Sequence, residues 1–305
     1  MKAEITDIAN RHPLTTLFAS LLAVAAVAGF ASGADLDGQL ASTALSAAVS
    51  TAALVFAVPS IAKWRKPDVD AVRFALCMVA VGALAAVCTA SVSLFSSSFG
   101  DGIVFSPPSA RLLLVGALLC AATGLFEETL FRGIAVTCLY RHLRASAAEA
   151  APAEPTCRFR LRGFVAGESS PIVSASLIGS LLFALMHVVG TPALSADGFA
   201  ASAIAATQVI LKMVQAGMFG FCMAALMVKT RSIWLPVLVH ALFDMLYFAP
   251  ALAAWGALPV THVAGNCGDL VVLVLSIAFL APLCRKSRRW MMGEVLPYTS
   301  NPKSR

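Results

Sequence analysis

The sequence predicts an all-α protein, a polytopic membrane helix bundle with about eight transmembrane helices. Its 305 residues are 59% hydrophobic and only 12% charged, with a mean hydropathy of +0.84. In soluble domains about a quarter of the residues are charged. The apolar residues form runs long enough to cross about 30 Å of hydrocarbon, which takes roughly 20 helical residues. Transmembrane strands would be shorter and would alternate apolar and polar residues, so we expect helices.

The apolar runs give the predicted spans of a single membrane domain over residues 1–305. In chain order they are 14–32, 42–62, 72–95, 112–139, 172–194, 202–228, 233–254 and 270–283, the last of which is short. The first run follows Lys2 and Arg11 and precedes small residues, as a signal peptide would. Its apolar core is longer than the usual signal-peptide core of about 7 to 15 residues. We therefore expect this run to remain as the first helix.

The basic residues predict the orientation in the membrane. If both termini lie inside, 19 of the 22 Lys and Arg residues lie on the inner face, the exceptions being Arg111, Arg132 and Lys212. Such an excess is typical of cytoplasmic loops. We expect an integral protein of a bacterial cytoplasmic membrane with cytosolic termini. The same residues explain the net charge of +6 and the pI of about 9.0, and they indicate contacts with lipid headgroups rather than with nucleic acid.

The remaining segments predict no second domain. Residues 142–170 form a predicted flexible inner loop, and residues 285–305 form an inner tail. The eight cysteines are scattered and contain no CxxC pair, which predicts neither a disulfide framework nor a zinc knuckle. The sequence contains no Gly-rich phosphate-binding motif, and it predicts no particular oligomeric state.

Ionisable residues inside the spans mark the candidate site. A charged side chain near the bilayer centre costs about 2.5 to 3.5 kcal/mol, so each one needs a partner or a water-filled cavity. These residues are Glu127, Glu128, Arg132, His187, Lys212, His240 and Asp244.

The stretch LFEETLFRG at 125–133 combines two carboxylates and a guanidinium. Glu128 and Arg132 are four residues apart, lie on one helix face and have the favourable order of charges. Glu127 is turned about 100° away from Glu128. We therefore expect Arg132 to neutralise Glu128, which leaves Glu127 available for chemistry.

Two other pairs repeat the four-residue spacing. His240 and Asp244 place an imidazole and a carboxylate on one face, where they either share a hydrogen bond or face one object. Phe183 and His187 place an apolar wall beside a second imidazole. Each pair alone could be structural. Their joint occurrence in otherwise apolar spans favours a site built from facing helices.

In this order the motifs resemble EExxxR, FxxxH and HxxxN/D of the CPBP family. That family comprises the CAAX prenyl endopeptidases and the bacteriocin-processing, Abi-type membrane proteases. The pattern covers residues 124–244 within a motif-bearing core of about 111–254. The resemblance implies an intramembrane endopeptidase that hydrolyses a peptide bond near the cytosolic leaflet, in a cavity open to the cytosol.

The resemblance also implies a role for each motif residue. Glu127 and His187 would activate the attacking water, and Glu128 would support Glu127. Arg132 would hold the acidic pair in place, with Phe183 as a further structural support. The expected partners are a peptide or membrane-protein substrate and membrane lipid.

His240 and Asp244 would stabilise the oxyanion or, together with His187, bind a metal. Eukaryotic prenyl endopeptidases carry Asn at the position of Asp244, and an amide can donate a hydrogen bond whereas an ionised carboxylate only accepts. An ionised Asp244 would suit zinc, which commonly takes His and carboxylate ligands, but the sequence has no HExxH motif. We expect catalysis without a required metal, with zinc as the alternative.

Two other functions fit the same residues. In a proton-coupled transporter, Glu127, His187 and Asp244 would form a proton relay. A non-catalytic membrane scaffold or self-immunity protein would keep the fold alone. Lys212 matches none of the motifs, and we expect it to snorkel toward the outer interface rather than to contact substrate.

Overall fold

The computed structural model describes residues 2–30, 36–97, 108–149, 170–188, 199–255 and 267–292, and within them every regular element is helical. The helices are α1 (Lys2–Arg11), α2 (Pro13–Phe30), α3 (Leu36–Ala57), α4 (Val69–Ser97), α5 (Ala110–Glu127), α6 (Thr137–Glu149), α7 (Pro171–Met186), α8 (Phe199–Thr230), α9 (Trp234–Trp255) and α10 (Cys267–Met292). A π segment, Glu128–Val136, joins α5 to α6 without a break. The predicted all-α class is confirmed for the described residues.

Within the described residues, five helical stretches are long and apolar enough to cross a membrane. They are Leu36–Ala57, Val69–Ser91, Ala110–Ala148, Ser202–Thr230 and Gly268–Met292. Three shorter apolar helices, Pro13–Val27, Pro171–Met186 and Trp234–Pro250, coincide with the other predicted spans. The helical membrane bundle is therefore confirmed, whereas the number of eight spans stays a prediction.

Two predicted boundaries differ from the helices observed. The span predicted at 270–283 is part of the longer α10, where the ammonium of Lys286 lies 4.9 Å from the ring centroid of Trp290. Aromatic packing thus lets this helix continue through its basic residues. At the start of the loop predicted over 142–170, α6 continues to Glu149. Residues 150–169 of that loop and 293–305 of the tail lie outside the described residues.

The helices pack around the α5–π–α6 rod. Helix α9 packs against α4 and α5, and α3 packs against α5 from another side. Helix α8 packs against α7 and α10, and the π segment contacts α3 and α7. The rod that carries the EExxxR motif therefore has neighbours on several sides.

One end of the bundle carries most of the basic residues that are described. The connection between α3 and α4 is tied to the one between α8 and α9, because Trp234 Nε1 donates to Ala62 O at 2.7 Å and Ser232 Oγ donates to Lys63 O at 2.9 Å. The Lys229 ammonium lies 3.2 Å from the Asp68 carboxylate at the same end. We call this end, with the α6 and α10 carboxyl termini, the basic end.

Gly124 lets α5 and α9 approach closely just before the paired glutamates. A Cβ atom at this position would lie 3.0 Å from both the Ala241 amide nitrogen and the Val237 carbonyl oxygen. Small residues at helix interfaces in membranes allow such close backbone approach. The glycine therefore helps to bring the glutamates of the rod against His240 of α9.

Candidate active site

Glu127 and Glu128 are adjacent in the chain but occupy different environments. Glu127 ends α5, lines an internal cavity and is 8% exposed. Glu128 begins the π segment and is 0% exposed. Helical geometry turns successive side chains in different directions, so one carboxylate reaches the cavity and the other stays within the packed bundle. This separation is the one expected from the sequence.

The buried Glu128 carboxylate has two partners. Its Oε1 atom lies 3.1 Å from Nη1 of Arg132 and accepts a hydrogen bond of 2.7 Å from Nδ1 of His240. The predicted pairing of Glu128 with Arg132 is thus present. The bond to His240 joins the first motif to the third, a contact that the chain order alone does not predict.

Arg132 is held on its other side by Phe183. The guanidinium carbon lies 3.9 Å from the ring centroid of Phe183, and Nε donates to the Gly220 carbonyl oxygen at 3.5 Å. A cation stacked on an aromatic face is stabilised by about 0.5 to 2 kcal/mol. Phe183 is therefore a partner of the buried arginine as well as an apolar wall.

The π segment surrounds these contacts. All nine residues of Glu128–Val136 are buried, and the stretch follows directly on the regular helix α5. In a π-helix the hydrogen bonds run from i to i+5, and such turns occur frequently at functional sites. The apolar pattern of the sequence does not carry a signal for this change of helical register.

His240 contacts three carboxylates. Its Nδ1 atom bonds Glu128, while Nε2 lies 3.4 Å from Oε2 of Glu127 and 3.5 Å from Oδ2 of Asp244. Because a carboxylate paired with arginine accepts hydrogen bonds, Nδ1 carries a proton. The other ring nitrogen then faces the cavity, where it accepts in the neutral ring and donates in the cation.

His187 directly follows α7 and lines the same cavity. Its Nδ1 atom donates to the Phe183 carbonyl oxygen at 2.9 Å, and its ring centroid lies 4.3 Å from that of Phe183. A fixed Nδ1 proton makes Nε2 the acceptor of the neutral ring. The FxxxH motif thus fixes both the position and the tautomer of this histidine.

The cavity has a volume of about 440 Å³ and collects residues from five helical elements. Its lining includes Gln39, Thr43, Cys120, Thr123, Glu127, His187, Lys212, Gln215, His240, Asp244 and Tyr247. Four of the five predicted catalytic residues, Glu127, His187, His240 and Asp244, therefore share one space. Glu128 and Arg132 lie behind it.

Most of the lining lies away from the basic end. The residues of α8 that line the cavity run from Lys212 to Phe219, whereas that helix reaches the basic end at Thr230. On α3 they are near the amino end, which the Asp37–Arg111 ion pair joins to the start of α5. The buried π segment separates the cavity from the basic end.

The described residues do not assemble a metal-binding group. Within the described ranges, no three His, Cys, Asp or Glu side chains are placed to hold a metal ion together. One nitrogen of His187 and one of His240 are already directed at protein oxygens. The ligand set of the zinc alternative, His187, His240 and Asp244, is thus not preformed. Catalysis without a required metal, with zinc as the alternative, stays a prediction.

Lys212 is the residue whose position differs most from expectation. It is 8% exposed, lines the cavity and donates from Nζ to Oε1 of Gln215 at 3.1 Å. Snorkelling toward the outer interface is therefore wrong for this side chain. Hydropathy alone does not distinguish a lysine that reaches the interface from one that faces an internal polar cavity.

Comparison with known proteins adds the class of protein to this geometry. Residues 109–246 match the family model for type II CAAX prenyl endopeptidase Rce1-like proteins. All three motifs fall within the matched segment, and the resemblance to CPBP intramembrane proteases is confirmed. This segment of the chain, somewhat less than half of its length, is thus similar to the CPBP family. No curated protein and no solved structure matches the chain.

Proposed function

We propose that this protein is an intramembrane endopeptidase in which Glu127 and His187 activate water and His240 with Asp244 stabilises the oxyanion. The observation that carries this proposal is the division of the two glutamates. Glu128 is engaged by Arg132 and His240, whereas Glu127 lines the cavity that also contains His187 and Asp244. A cavity-lining carboxylate beside an imidazole is a suitable base for water.

The proposed reaction uses these groups in sequence. Glu127, aided by the acceptor nitrogen of His187, takes a proton from water while the water oxygen attacks the peptide carbonyl carbon. The developing oxyanion accepts a hydrogen bond from the protonated Nε2 of His240. The proton then passes to the leaving nitrogen as the carbon–nitrogen bond breaks, giving a carboxylate and an amine.

In this proposal Asp244 orients and balances His240 rather than attacking substrate. Its carboxylate lies 3.5 Å from the His240 nitrogen that faces the cavity. A protonated Asp244 could also donate to the oxyanion, as Asn does in the eukaryotic relatives. Zinc held by His187, His240 and Asp244 is the alternative, in which the metal would polarise the carbonyl and bind the water.

We further propose eight spans with both termini in the cytosol of a bacterial cell, and peptide or membrane-protein segments as substrates. The basic end would then face the cytosol, and most of the cavity lining would lie toward the outer half of the membrane. A cavity in the outer half of the membrane does not agree with cleavage near the cytosolic leaflet. The predicted orientation and the expected cleavage position therefore cannot both hold.

Accessibility of Cys120, which lines the cavity, decides between the two expectations. A variant that keeps Cys120 as its only cysteine would be treated with a membrane-impermeant thiol reagent on intact cells and on inverted vesicles. If Cys120 is labelled in intact cells, the cavity opens to the outer side. This result supports cytosolic termini and substrate entry from outside. Labelling of inverted vesicles alone supports entry from the cytosol.

The test of the proteolytic function compares purified wild type with Glu127→Gln on a fluorogenic peptide library. We expect turnover to fall by about 10²- to 10⁴-fold in the variant and to be unchanged in Glu4→Gln, an exposed matched control. The same assay with a chelator tests the zinc alternative. Full activity of Glu127→Gln would contradict the proposal, and substrate-dependent proton flux without cleavage would favour a transporter.

A further inference from the structure

Lys212 is a buried cation in the cavity that the proposed mechanism does not use. It is 8% exposed and lines the same space as Glu127 and Asp244. An ammonium inside a membrane protein is unfavourable unless it has a partner or a hydrated cavity. We therefore expect Lys212 to have a function in the cavity.

Two neutral residues hold the ammonium in place. Nζ of Lys212 donates to Gln215 Oε1 at 3.1 Å and lies 5.1 Å from the ring centroid of Tyr247. The amide of Gln215 in turn donates to the Tyr247 hydroxyl at 3.2 Å. We call Lys212, Gln215 and Tyr247 the lysine cluster. All three line the cavity, and Gln215 and Tyr247 are 3% and 1% exposed.

The Lys212 ammonium makes no ion pair with a carboxylate of the described residues. Among the described residues, no carboxylate lies within ion-pair distance of the Lys212 ammonium, whose contacts are the Gln215 oxygen and the Tyr247 ring. The carboxyl groups of Glu127 and Asp244 line the same cavity without making an ion pair with Lys212. An ammonium has three donors, and the protein takes one of them. The others remain for a group that enters the cavity.

We propose that the lysine cluster binds a carboxylate of the peptide substrate while the scissile bond lies at Glu127. This inference rests on the proposed proteolytic function and adds a determinant of specificity. The anionic groups of an unmodified peptide are its C-terminal carboxylate and the side chains of Asp and Glu. Because the cluster and Glu127 line one cavity of about 440 Å³, the substrate's carboxylate would be bound close to the bond that is cut.

Gln215 and Tyr247 are positioning residues in this proposal. They direct Nζ without neutralising it, since both partners are uncharged. A charge-assisted hydrogen bond to a carboxylate in such a site is strong. Lys212 would select substrates by binding them. Removal of its charge should therefore change KM more than kcat.

The test uses one randomised hexapeptide library in two forms, with a free C-terminal acid and with a C-terminal amide. Cleavage is measured for wild type, Lys212→Met and Lys212→Arg. Lys229→Met is the matched control, because it makes the same substitution in the same helix at the basic end. We expect the acid-to-amide ratio of kcat/KM to fall roughly tenfold or more in Lys212→Met. It should be retained in Lys212→Arg and Lys229→Met.

A third arm identifies the source of the carboxylate. Two amidated libraries carry either Glu or Gln at each fixed position in turn. A loss of acid preference in Lys212→Met confined to the C terminus identifies the terminal carboxylate, and a loss confined to Glu over Gln identifies a side chain. If Lys212→Met changes neither ratio, or lowers all activities equally as a counterion of Asp244 would, the proposal is overturned.

Binding separates this inference from the proteolytic one. The Glu127→Gln variant is used for equilibrium retention of the same acid and amide libraries, with and without Lys212→Met. An acid preference that depends on Lys212 supports the carboxylate subsite even if no library is cleaved. Equal retention of the acid and amide forms, together with equal retention of the Glu and Gln libraries, overturns the subsite. Glu127-dependent cleavage would still support the protease. Thermal unfolding and size-exclusion elution verify that each variant is folded.

Discussion

The two adjacent glutamates of the EExxxR motif, Glu127 and Glu128, have different surroundings and different proposed roles. Glu128 lies among Arg132, His240 and the π segment, 0% exposed. Glu127, one residue earlier, lines the cavity and is 8% exposed. The difference shows how a membrane protein can hold two carboxylates together. Glu128 is fixed by Arg132 and His240. Through its hydrogen bond it positions His240, whose Nε2 atom lies 3.4 Å from Glu127.

Two ion pairs of the protein also differ in how deeply they are buried. Glu128 and Arg132 have side chains that are 0% and 2% exposed, whereas those of Asp68 and Lys229 at the basic end are 53% and 26% exposed. Buried pairs are costly to break because one charge is left without a partner. Exposed pairs contribute little. The expected effects of mutations follow this order.

Removing Arg132 should have the largest effect on stability. Arg132→Met leaves the Glu128 carboxylate buried beside His240, so we expect a loss of about 3 to 5 kcal/mol in the free energy of unfolding. Titration with a denaturing detergent in mixed micelles measures it. The double variant Glu128→Gln with Arg132→Met should recover part of the loss. If Arg132→Met unfolds like wild type, the buried pair does not support the bundle.

Gly124→Ala should separate α5 from α9. The added Cβ would lie 3.0 Å from two backbone atoms of α9, and overpacking of this kind costs about 1 to 3 kcal/mol. Turnover should fall as well, because the glutamates move relative to His240. Gly116→Ala is the control on the same helix, since its Cβ meets only the flexible side chain of Leu252. Equal effects of the two substitutions would contradict close contact at Gly124.

Phe183→Leu tests the aromatic support of Arg132. We expect it to lose about 0.5 to 2 kcal/mol more stability than Phe131→Leu, because Phe183 alone of the two stacks on the guanidinium. Unfolding midpoints of both variants in the same micelles give the difference. Equal losses would mean that Phe183 acts as a packed ring without a cation–π contribution.

The smallest effect belongs to Asp68, which accepts a hydrogen bond from the Ala71 amide at 2.7 Å. This bond, followed by the Lys229 ammonium, lowers the pKa of the Asp68 carboxyl in the folded protein. A lowered folded pKa stabilises the protein above the unfolded value of about 3.9, and that contribution is lost as the pH falls through the folded pKa. Asp68→Asn should therefore cost about 0.5 to 1 kcal/mol at pH 7.

The Asp68→Asn difference from wild type should shrink in acid, as unfolding measured at pH 7 and at about pH 3 would show. Asp70→Asn, two residues further into the same helix, is the matched control. A difference that is constant with pH would mean that the charge of Asp68 does not contribute.

Much of the site was predictable because helical spacing is local. The Glu128–Arg132 pair and the shared face of His240 and Asp244 follow from four-residue intervals. The bond from His240 to Glu128 joins residues 112 positions apart. A single sequence does not indicate which residues so far apart in the chain are in contact.

The remaining differences have physical reasons of their own. Stacking of Arg132 on Phe183 depends on how α7 rotates against the rod, and hydropathy does not fix that rotation. An apolar context alone predicts that Lys212 snorkels to the interface. Gln215, three residues further along the same helix, is the local signal for a polar cavity. The contact with Tyr247 of α9 is a long-range one that the sequence alone does not indicate.

The most direct test measures activity and stability together for Glu127→Gln and Glu128→Gln. The division of roles predicts that Glu127→Gln lowers cleavage of the fluorogenic library by about 10²- to 10⁴-fold. Its unfolding free energy should stay within about 0.5 kcal/mol of the wild-type value. Glu128→Gln should lower both, since it leaves Arg132 buried without its carboxylate. Activity that survives in Glu127→Gln but vanishes in a stable Glu128→Gln would contradict the assignment of Glu127 as the base.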